Sequence, residues 1–400
     1  MSYQSSYDYE CELSFNLNGK PSNILKECIK YIVVQYDYKN RIMPLIFINV
    51  ALSAQLYNIM VPNQGIGKMY LKLYNYSQKN TSSVQKTCIY DEFDYYMSDD
   101  PNSYKKLDTT AKQGSNVPYR VCTIGLIKSE LTKLNQKIFE GVYKDTNTMS
   151  LIQSATSHMK MIIEPFENNM NVETLNCPTI GSVGQFISYI NSHYNFYNGS
   201  YIYFMDFAKT YLRSNNGKYI DAKDGEFPYV AFDIRDMTEY QSKLPGMVVD
   251  DKQKAYIIYV DGNDAHINMD RAIPQMQNSV LSVNTTGDTK LNVVDTSAIT
   301  NVKPNEDSAN IVKSDDPNAS KALSSMIESE AGALYIRKVD MDNSIFTPSK
   351  QYLLANYEDN PKYCGVYYMI SKNELYFRTG NNLKSQIILG LGKVSDFSKQ

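Results

Sequence analysis

Apolar positions recur at every second residue over two widely separated stretches of the chain. In the first, Ile32, Val34, Tyr36 and Tyr38 alternate with Tyr31, Val33, Gln35 and Asp37. After the turn residues Lys39-Asn40-Arg41, Ile46, Ile48, Val50 and Leu52 line one side of a second run. Met69, Leu71 and Leu73 repeat the pattern beyond a Pro- and Gly-containing turn at 62–67. Successive strand side chains point to opposite faces, so this spacing predicts strands joined in hairpins. Residues 91–114 are polar around Asp99-Asp100-Pro101-Asn102 and predict a loop or protrusion, after which 117–128 returns to strand character. The second stretch, residues 333–394, carries ALYIRKV and CGVYYMISKNELYFRTG and has the same β pattern. Each stretch is expected to close into an antiparallel barrel, because closure removes exposed strand edges.

Between them the period changes. In SELTKLNQKIFEGVY, from Ser129 onward, Leu131, Leu134 and Ile138 fall at helical spacing. A short helix is expected at 149–158 and a strand at 159–165. Ser182 is a good N-cap for a helix over Val183–Tyr194, with Val183, Phe186, Ile187 and Ile190 on one face. Tyr201, Tyr203, Met205 and Phe207 then alternate with Ile202, Phe204 and Asp206. That run is apolar on both sides, as in a strand buried on both faces. Residues 255–260 read as a strand. Residues 284–321 are poor in large apolar side chains and read as a long loop. The expected fold class is α+β and β-rich: two antiparallel β-barrel domains flank an α/β middle module. The expected ranges are 1–128 for the first barrel, 129–245 for the middle domain and 246–400 for the second barrel, interrupted by a polar excursion near 284–321.

Composition narrows the function classes. Across 400 residues Lys+Arg number 40 against 43 Asp+Glu, a net charge of −3. That balance gives no electrostatic grip on nucleic acid, which needs clustered basic side chains. The chain has 34 Tyr and no Trp. Low-GC codon usage accounts for part of this, and large wet interfaces, which suit tyrosine, for the rest. Cys11, Cys28, Cys88, Cys122, Cys177 and Cys364 are scattered without a C-x-x-C pair and read as free thiols in a reducing compartment. The start MSYQSSYDYE lacks a basic n-region and an apolar h-region, and the longest apolar run, near 43–52, is far short of the ~20 residues of a spanning helix. The expectation is a soluble protein assembled inside a cell.

Catalytic chemistry finds no foothold. The histidines are His158, His193 and His266, none paired at i,i+4, and no H-E-x-x-H or G-x-S-x-G motif occurs. His193, at a helix C-terminus, reads as a macrodipole contact. Gln64-Gly65-Ile66-Gly67-Lys68 lacks phosphate-loop spacing, and Met69 stands where a hydroxyl would bind magnesium, so a hairpin turn is the favoured reading. Asp261-Gly262-Asn263-Asp264 and Asp221-Ala222-Lys223-Asp224-Gly225 are acidic turns without the ligand series of a calcium loop. Carboxylates that converge only in the fold leave no trace in sequence. No catalytic, cofactor-binding or metal-binding residue is assigned, and no cofactor is expected.

One segment carries a family likeness. Thr179-Ile180 is followed from Val183 by VGQFISYINSHYNFYNGSYIYFMDFAKTYLRS. This resembles the hub proteins of contractile-tail phage baseplates (the T4-like hub family), which are related to late-control tail proteins and to the N-terminal part of type VI secretion spike proteins. In that family a helix ends in an aromatic turn, here Tyr194, Phe196, Tyr197 and Gly199. A Phe-x-Asp-Phe strand follows, here Phe204, Asp206 and Phe207, and then a Tyr-Leu pair, Tyr211 and Leu212. Tyr143-Lys144-Asp145 upstream, and Tyr335-Ile336-Arg337, Thr347-Pro348-Ser349 and Tyr363-Cys364-Gly365 downstream, look like further family elements. The polar segments 91–114 and 284–321 depart from the pattern.

The resemblance implies a non-enzymatic structural virion protein of the tail baseplate, assembled in the host bacterial cytoplasm. It implies a homotrimer whose chains each supply two similar barrels. Such a ring is a symmetry adaptor between the sixfold tail tube and a trimeric central spike. Its partners would be the tube protein, the spike and other baseplate proteins, with DNA passing through the lumen without specific binding and no membrane insertion. The competing readings are a virion-associated cell-wall hydrolase and a carbohydrate-binding receptor module.

Overall fold

The computed structural model describes residues 7–38, 43–77, 84–98, 119–129, 138–157, 161–197, 201–205, 210–214, 227–236, 246–268, 281–284, 290–292, 311–313, 333–339 and 341–394. The chain opens with β1 (Tyr7–Leu17), which turns at Asn18 and Gly19, φ 52° and 79°, into β2 (Lys20–Ile24). An Asn-Gly pair suits a tight hairpin because both central residues adopt positive φ. Then come β3 (Ile29–Asp37) and β4 (Leu45–Ser53), whose burial alternates residue by residue along most of their length. A short helix, α1 (Ala54–Met60), starts where the Ser53 side chain accepts a hydrogen bond from Leu56 N at 3.2 Å. β5 (Lys68–Ser77), β6 (Val84–Ser98) and β7 (Tyr119–Lys128) complete this part. The expected strands are present; β1 and α1 were not foreseen, although Tyr9, Cys11, Leu13 and Phe15 keep period two and are all buried. The expected loop at 91–114 is corrected at its start. β6 runs to Ser98, with Phe93 and Tyr95 in the core and Asp94 between them held by Lys68 and Ser129. The turn at 39–41 and residues 99–114 lie outside the described residues.

The middle of the chain holds β8 (Phe139–Asn147), α2 (Thr148–Ala155), β9 (Met161–Ile163), β10 (Asn171–Ile180), α3 (Val183–Tyr194), β11 (Tyr201–Met205) and β12 (Thr210–Ser214). α3 has the expected bounds. Ser182 accepts from Gln185 N at 3.2 Å, and Asn195 closes the helix at φ 43°. The helical spacing from Ser129 to Tyr143 misleads: residues from Phe139 onward form β8, antiparallel to β10. Gly141 at φ 112° is incompatible with a helix, and the pairing with β10 overrides the local pattern. Residues 130–137 lie outside the described residues.

The remainder is β13 (Tyr229–Arg235), β14 (Met247–Asp250), β15 (Ala255–Asp261), β16 (Ala265–Asn268), β17 (Leu281–Asn284), β18 (Lys290–Asn292), β19 (Ile311–Lys313), β20 (Ala333–Val339), β21 (Gln351–Tyr357), β22 (Gly365–Thr379) and β23 (Asn382–Lys393). The excursion at 284–321 is not wholly loop. β17 pairs with β18 and β19 in a small separate sheet.

The early and late strands do not form two separate antiparallel sheets. A 15-stranded mixed sheet runs β14-β15-β13-β21-β22-β3-β4-β7-β6-β5-β1-β23-β20-β16, with β2 beside β1. Parallel pairs arise where β13 lies between β15 and β21. Because β22 also pairs with β23, the links from β22 through β3, β4, β7, β6, β5 and β1 return to the same hairpin. The last link is one register pair, Tyr9 opposite Leu383. The β22–β23 hairpin serves both ends of the sheet. Up to Met369, β22 pairs with β21; after an irregularity between Met369 and Ser371 it pairs with β3. On the far side, Lys338 of β20 reaches across to Tyr259 O of β15 at 2.7 Å. One hydrophobic core extends from Tyr9 to Leu391, and a second fills the space between β8, β10, α2 and α3.

β11 and β12 separate the two cores. Ile202, Phe204 and Tyr211 belong to the larger, while Tyr201, Tyr203 and Leu212 face the smaller. Phe204 stacks on Tyr211 and meets Tyr38 edge-on, both at 4.9 Å between ring centres. The fully buried Arg213 spans the same boundary, donating to Pro348 O and Ser214 O.

A buried ion pair lies at the partner switch of β22. Lys372 and Glu374, 8% and 4% exposed, meet at 2.9 Å. Lys372 also donates to Phe346 O at 3.1 Å and lies over the Tyr36 ring, while Glu374 accepts from Tyr376 at 2.9 Å. The Tyr376 hydroxyl accepts from Asn343, whose backbone N–H donates to Tyr9. Removing one member of such a pair strands the other charge, at a cost of about 3–5 kcal/mol. Glu374→Leu is expected to lower unfolding stability by that amount in a urea titration, and Lys372→Met combined with Glu374→Leu to recover most of it. Tyr95 supplies a pH test. Its hydroxyl donates to Met60 O at 2.6 Å, and burial pushes it up to about 12. The folded state therefore favours the neutral phenol. That contribution is whole below about pH 10, the ordinary tyrosine value, and is lost as pH climbs through about 12. Tyr95→Phe should flatten the fall in unfolding midpoint over this window.

Candidate functional site

The residues singled out for chemistry are dispersed. His193 is exposed on the last turn of α3, its Nδ1 2.8 Å from Tyr189 O and its ring 4.5 Å from that of Tyr189, a local helix-end contact. His266 is exposed on β16; His158 lies outside the described residues. Gln64-Gly65-Ile66-Gly67 is a turn entering β5, with Gly65 at φ 82° and Gly67 N bonded to Asn63 O at 2.9 Å. A Cβ at Gly67 would collide with the Phe15 ring, which explains the glycine by packing. Lys68 points to Asp94 and Ser129. Asp261 accepts from Asn263 N at 3.0 Å, an ordinary turn bond, and 221–225 lies outside the described residues. Burial pushes the Cys11 thiol up to about 12, and raises Cys28 and Cys177 too, so these are poor nucleophiles. Among the described residues no group of three or more His, Cys, Asp or Glu is placed to hold a metal ion, and no helix is long and apolar enough to cross a membrane.

The feature with functional content is the outside of the sheet, which has two characters. Along β1 and β5 the charged residues Glu10, Glu12 and Lys72 share the outward face with Ser14 and Tyr70. Lys72 pairs with Glu12 at 3.5 Å, Lys26 with Glu10 at 3.8 Å, and Lys384 of β23 with Asp8 at 2.8 Å. The two more exposed pairs, Lys72–Glu12 and Lys26–Glu10, contribute little stability.

The wall formed by β22, β3, β4, β7 and β6 differs. One row runs Leu375, Val33, Phe47, Gly125, Tyr96, each opposite the next in register. The other outward residues of β4 are Leu45, Asn49 and Ala51; those of β7 are Val121, Thr123 and Ile127. On β22 they are Asn373 and Phe377. None is charged. Tyr96 is 49% exposed and Tyr31 38%. The row itself is apolar or aromatic, while the face around it carries carboxylates.

The pattern of β22 explains why sequence reasoning missed both features. Its alternation is inverted: Lys372, Glu374 and Tyr376 point inward, while Leu375 and Phe377 point out. Binary patterning read alone would reverse the two faces. The available signal was the run Lys-Asn-Glu-Leu-Tyr-Phe, in which Lys372, Glu374 and Tyr376 share one parity and Leu375 and Phe377 the other.

Comparison with known proteins places this fold. The tail protein from Neisseria meningitidis MC58 is similar over 96% of this chain and 96% of its own, with a TM-score of 0.51 at 9% identity. The 43 kDa tail protein of prophage MuSo2 from Shewanella oneidensis is similar over 96% of this chain and 97% of its own, with a TM-score of 0.53 at 8% identity. No curated protein matches at the level of sequence. The likeness drawn from the aromatic pattern of the middle segment is therefore upheld: the fold is that of phage tail proteins. Residues 3–391 match the family described as the Bacteriophage PBS1 gene 109 protein, and the chain belongs to that family.

Proposed function

We propose that this chain is a structural protein of a phage virion: a baseplate hub that joins the sixfold tail tube to the trimeric central spike of a contractile tail. The observation that carries the reading is likeness of fold along the whole chain to two phage tail proteins. The strand circuit β22-β3-β4-β7-β6-β5-β1-β23 is read as one barrel. The strands β21, β13, β15, β16 and β20, around the other end of the same hairpin, are read as a second. On this reading 1–128 and 246–400 supply most strands of the two barrels, and the module within 129–245 is fixed to them through Phe204, Arg213 and the β11–β12 pair. Three copies then offer six similar units to the tube and a threefold opening to the spike. The role is mechanical and non-catalytic. Other baseplate proteins are further partners, and DNA passes through the lumen without specific contacts. Assembly takes place in the cytoplasm of the host bacterium, and the finished protein resides in the baseplate.

The test is the mass of the purified full-length protein by native mass spectrometry, together with negative-stain class averages. The expected result is three times the chain mass and rings with threefold or pseudo-sixfold outline. A monomer at micromolar concentration, with no ring in tail particles, would overturn the reading.

A further inference from the structure

We propose that the tip of the β1–β2 hairpin is a modification site, at which Asn18 deamidates spontaneously through the backbone nitrogen of Gly19. The inference is independent of the hub reading.

The chemistry needs an amide side chain beside an accessible backbone nitrogen. Asn18 and Gly19 are the whole turn between Leu17 and Lys20, which face each other in register. The ladder bonds of such a turn belong to the flanking pair, so the Gly19 N–H is left to water. Gly19 has no side chain to shield its nitrogen, and open space surrounds the position a Cβ would take. Both residues are exposed, and the Asn18 amide is held by no hydrogen bond among the described residues. Asp261-Gly262 makes the contrast: Asp261 Oδ1 accepts from Asn263 N and from Asn263 Nδ2, each at 3.0 Å. That carboxylate is fixed, whereas the Asn18 amide is not.

Ring closure at Asn18 requires the tight turn to relax, and the hairpin permits this. β2 pairs with β1 alone and is exposed from Lys20 to Asn23, so Ile24 is its one buried anchor. Edge segments with so little buried surface open locally at small free-energy cost. Gly19 N then attacks the Asn18 side-chain carbonyl carbon. A C–N bond forms, the side-chain amide C–N bond breaks, and ammonia leaves with the proton given up by Gly19 N. Water opens the cyclic imide at either carbonyl, giving aspartate or isoaspartate. Either product adds one negative charge to the net −3 of the chain. Isoaspartate also lengthens the backbone of a turn whose length sets the strand register. β2 is then released, while β1 stays paired with β5.

The full chain is incubated folded at neutral pH and physiological temperature, beside a sample unfolded in urea, and the proteolytic peptide carrying Asn18 is weighed over time. It is expected to gain one mass unit in both samples, the folded rate lying within about tenfold of the unfolded one because the edge hairpin opens readily. Asn18→Gln, whose ring would be larger, is expected to abolish the change. Hydrogen exchange on the isoaspartate fraction should show lost protection over Lys20–Ile24 and retained protection along β1. An Asn18 peptide that keeps its mass in the folded chain while the unfolded sample converts would overturn the site, since the hairpin would then protect it. Conversion in neither sample would overturn the chemistry as well, and unchanged protection of β2 would overturn its release.

Discussion

The architecture depends on one long hairpin. β22 and β23, 15 and 12 residues long, pair along nearly their full length. At ~3.4 Å per residue β22 reaches about 50 Å, too far for a single set of neighbours to flank throughout. The irregularity between Met369 and Ser371 resolves this by letting the strand change neighbours from β21 to β3. An extra residue in one strand bends it and breaks the ladder locally, as a junction between two curved walls requires. β23 makes the matching change, meeting β1 only at Leu383 and β20 over its second half. Close packing enforces the exchange: a Cβ at Gly392 would meet Tyr368 and Ile370, and one at Gly390 would meet Ser371.

The buried Lys372–Glu374 pair belongs to this junction. Replacing such a pair with apolar residues is often neutral for stability, so its presence calls for a reason beyond stabilisation. Its bonds supply one. Lys372 holds the carbonyl of Phe346, and the Glu374–Tyr376–Asn343 chain holds the neighbouring turn of the β20–β21 connection. That connection carries Phe346 into the larger core and Pro348 to Arg213. Polar groups with directional partners fix one arrangement where apolar packing would accept several. Arg213 then links this connection to β12, so the middle module is indexed to the same point as the two ends of the sheet.

Much of this was legible in the sequence, and the misses have definite causes. Val183–Tyr194 was readable because cap, periodicity and terminal turn agree in one short segment. The double-sided burial of β11 was readable because Ile202 and Phe204 alternate with Tyr201 and Tyr203, apolar on both parities. β8 was misread because the spacing of Leu131, Leu134 and Ile138 carried a helix past Phe139, where pairing with β10 decides the outcome. The fusion of early and late strands was invisible for a different reason. Period two states that a strand has a buried face, but not which strand lies beside it. The pairing of Val33 with Leu375 spans most of the chain, and nothing local in either segment encodes it.

The inverted alternation of β22 ties the interior to the surface. Once a strand's parity is fixed, every residue on it is committed to one of two faces. Placing Lys372, Glu374 and Tyr376 inward to hold the junction obliges Leu375 and Phe377 to point out. The cost of that choice would be an isolated greasy strand on a soluble surface. Its neighbours remove the isolation: Val33, Phe47 and Tyr96 extend the same row across the wall in strict register. A single apolar residue on a surface needs no explanation, but a registered row across five strands does. The polar lock inside and the apolar row outside are two consequences of one parity, so the junction residues and Leu375 lie back to back on the same strand.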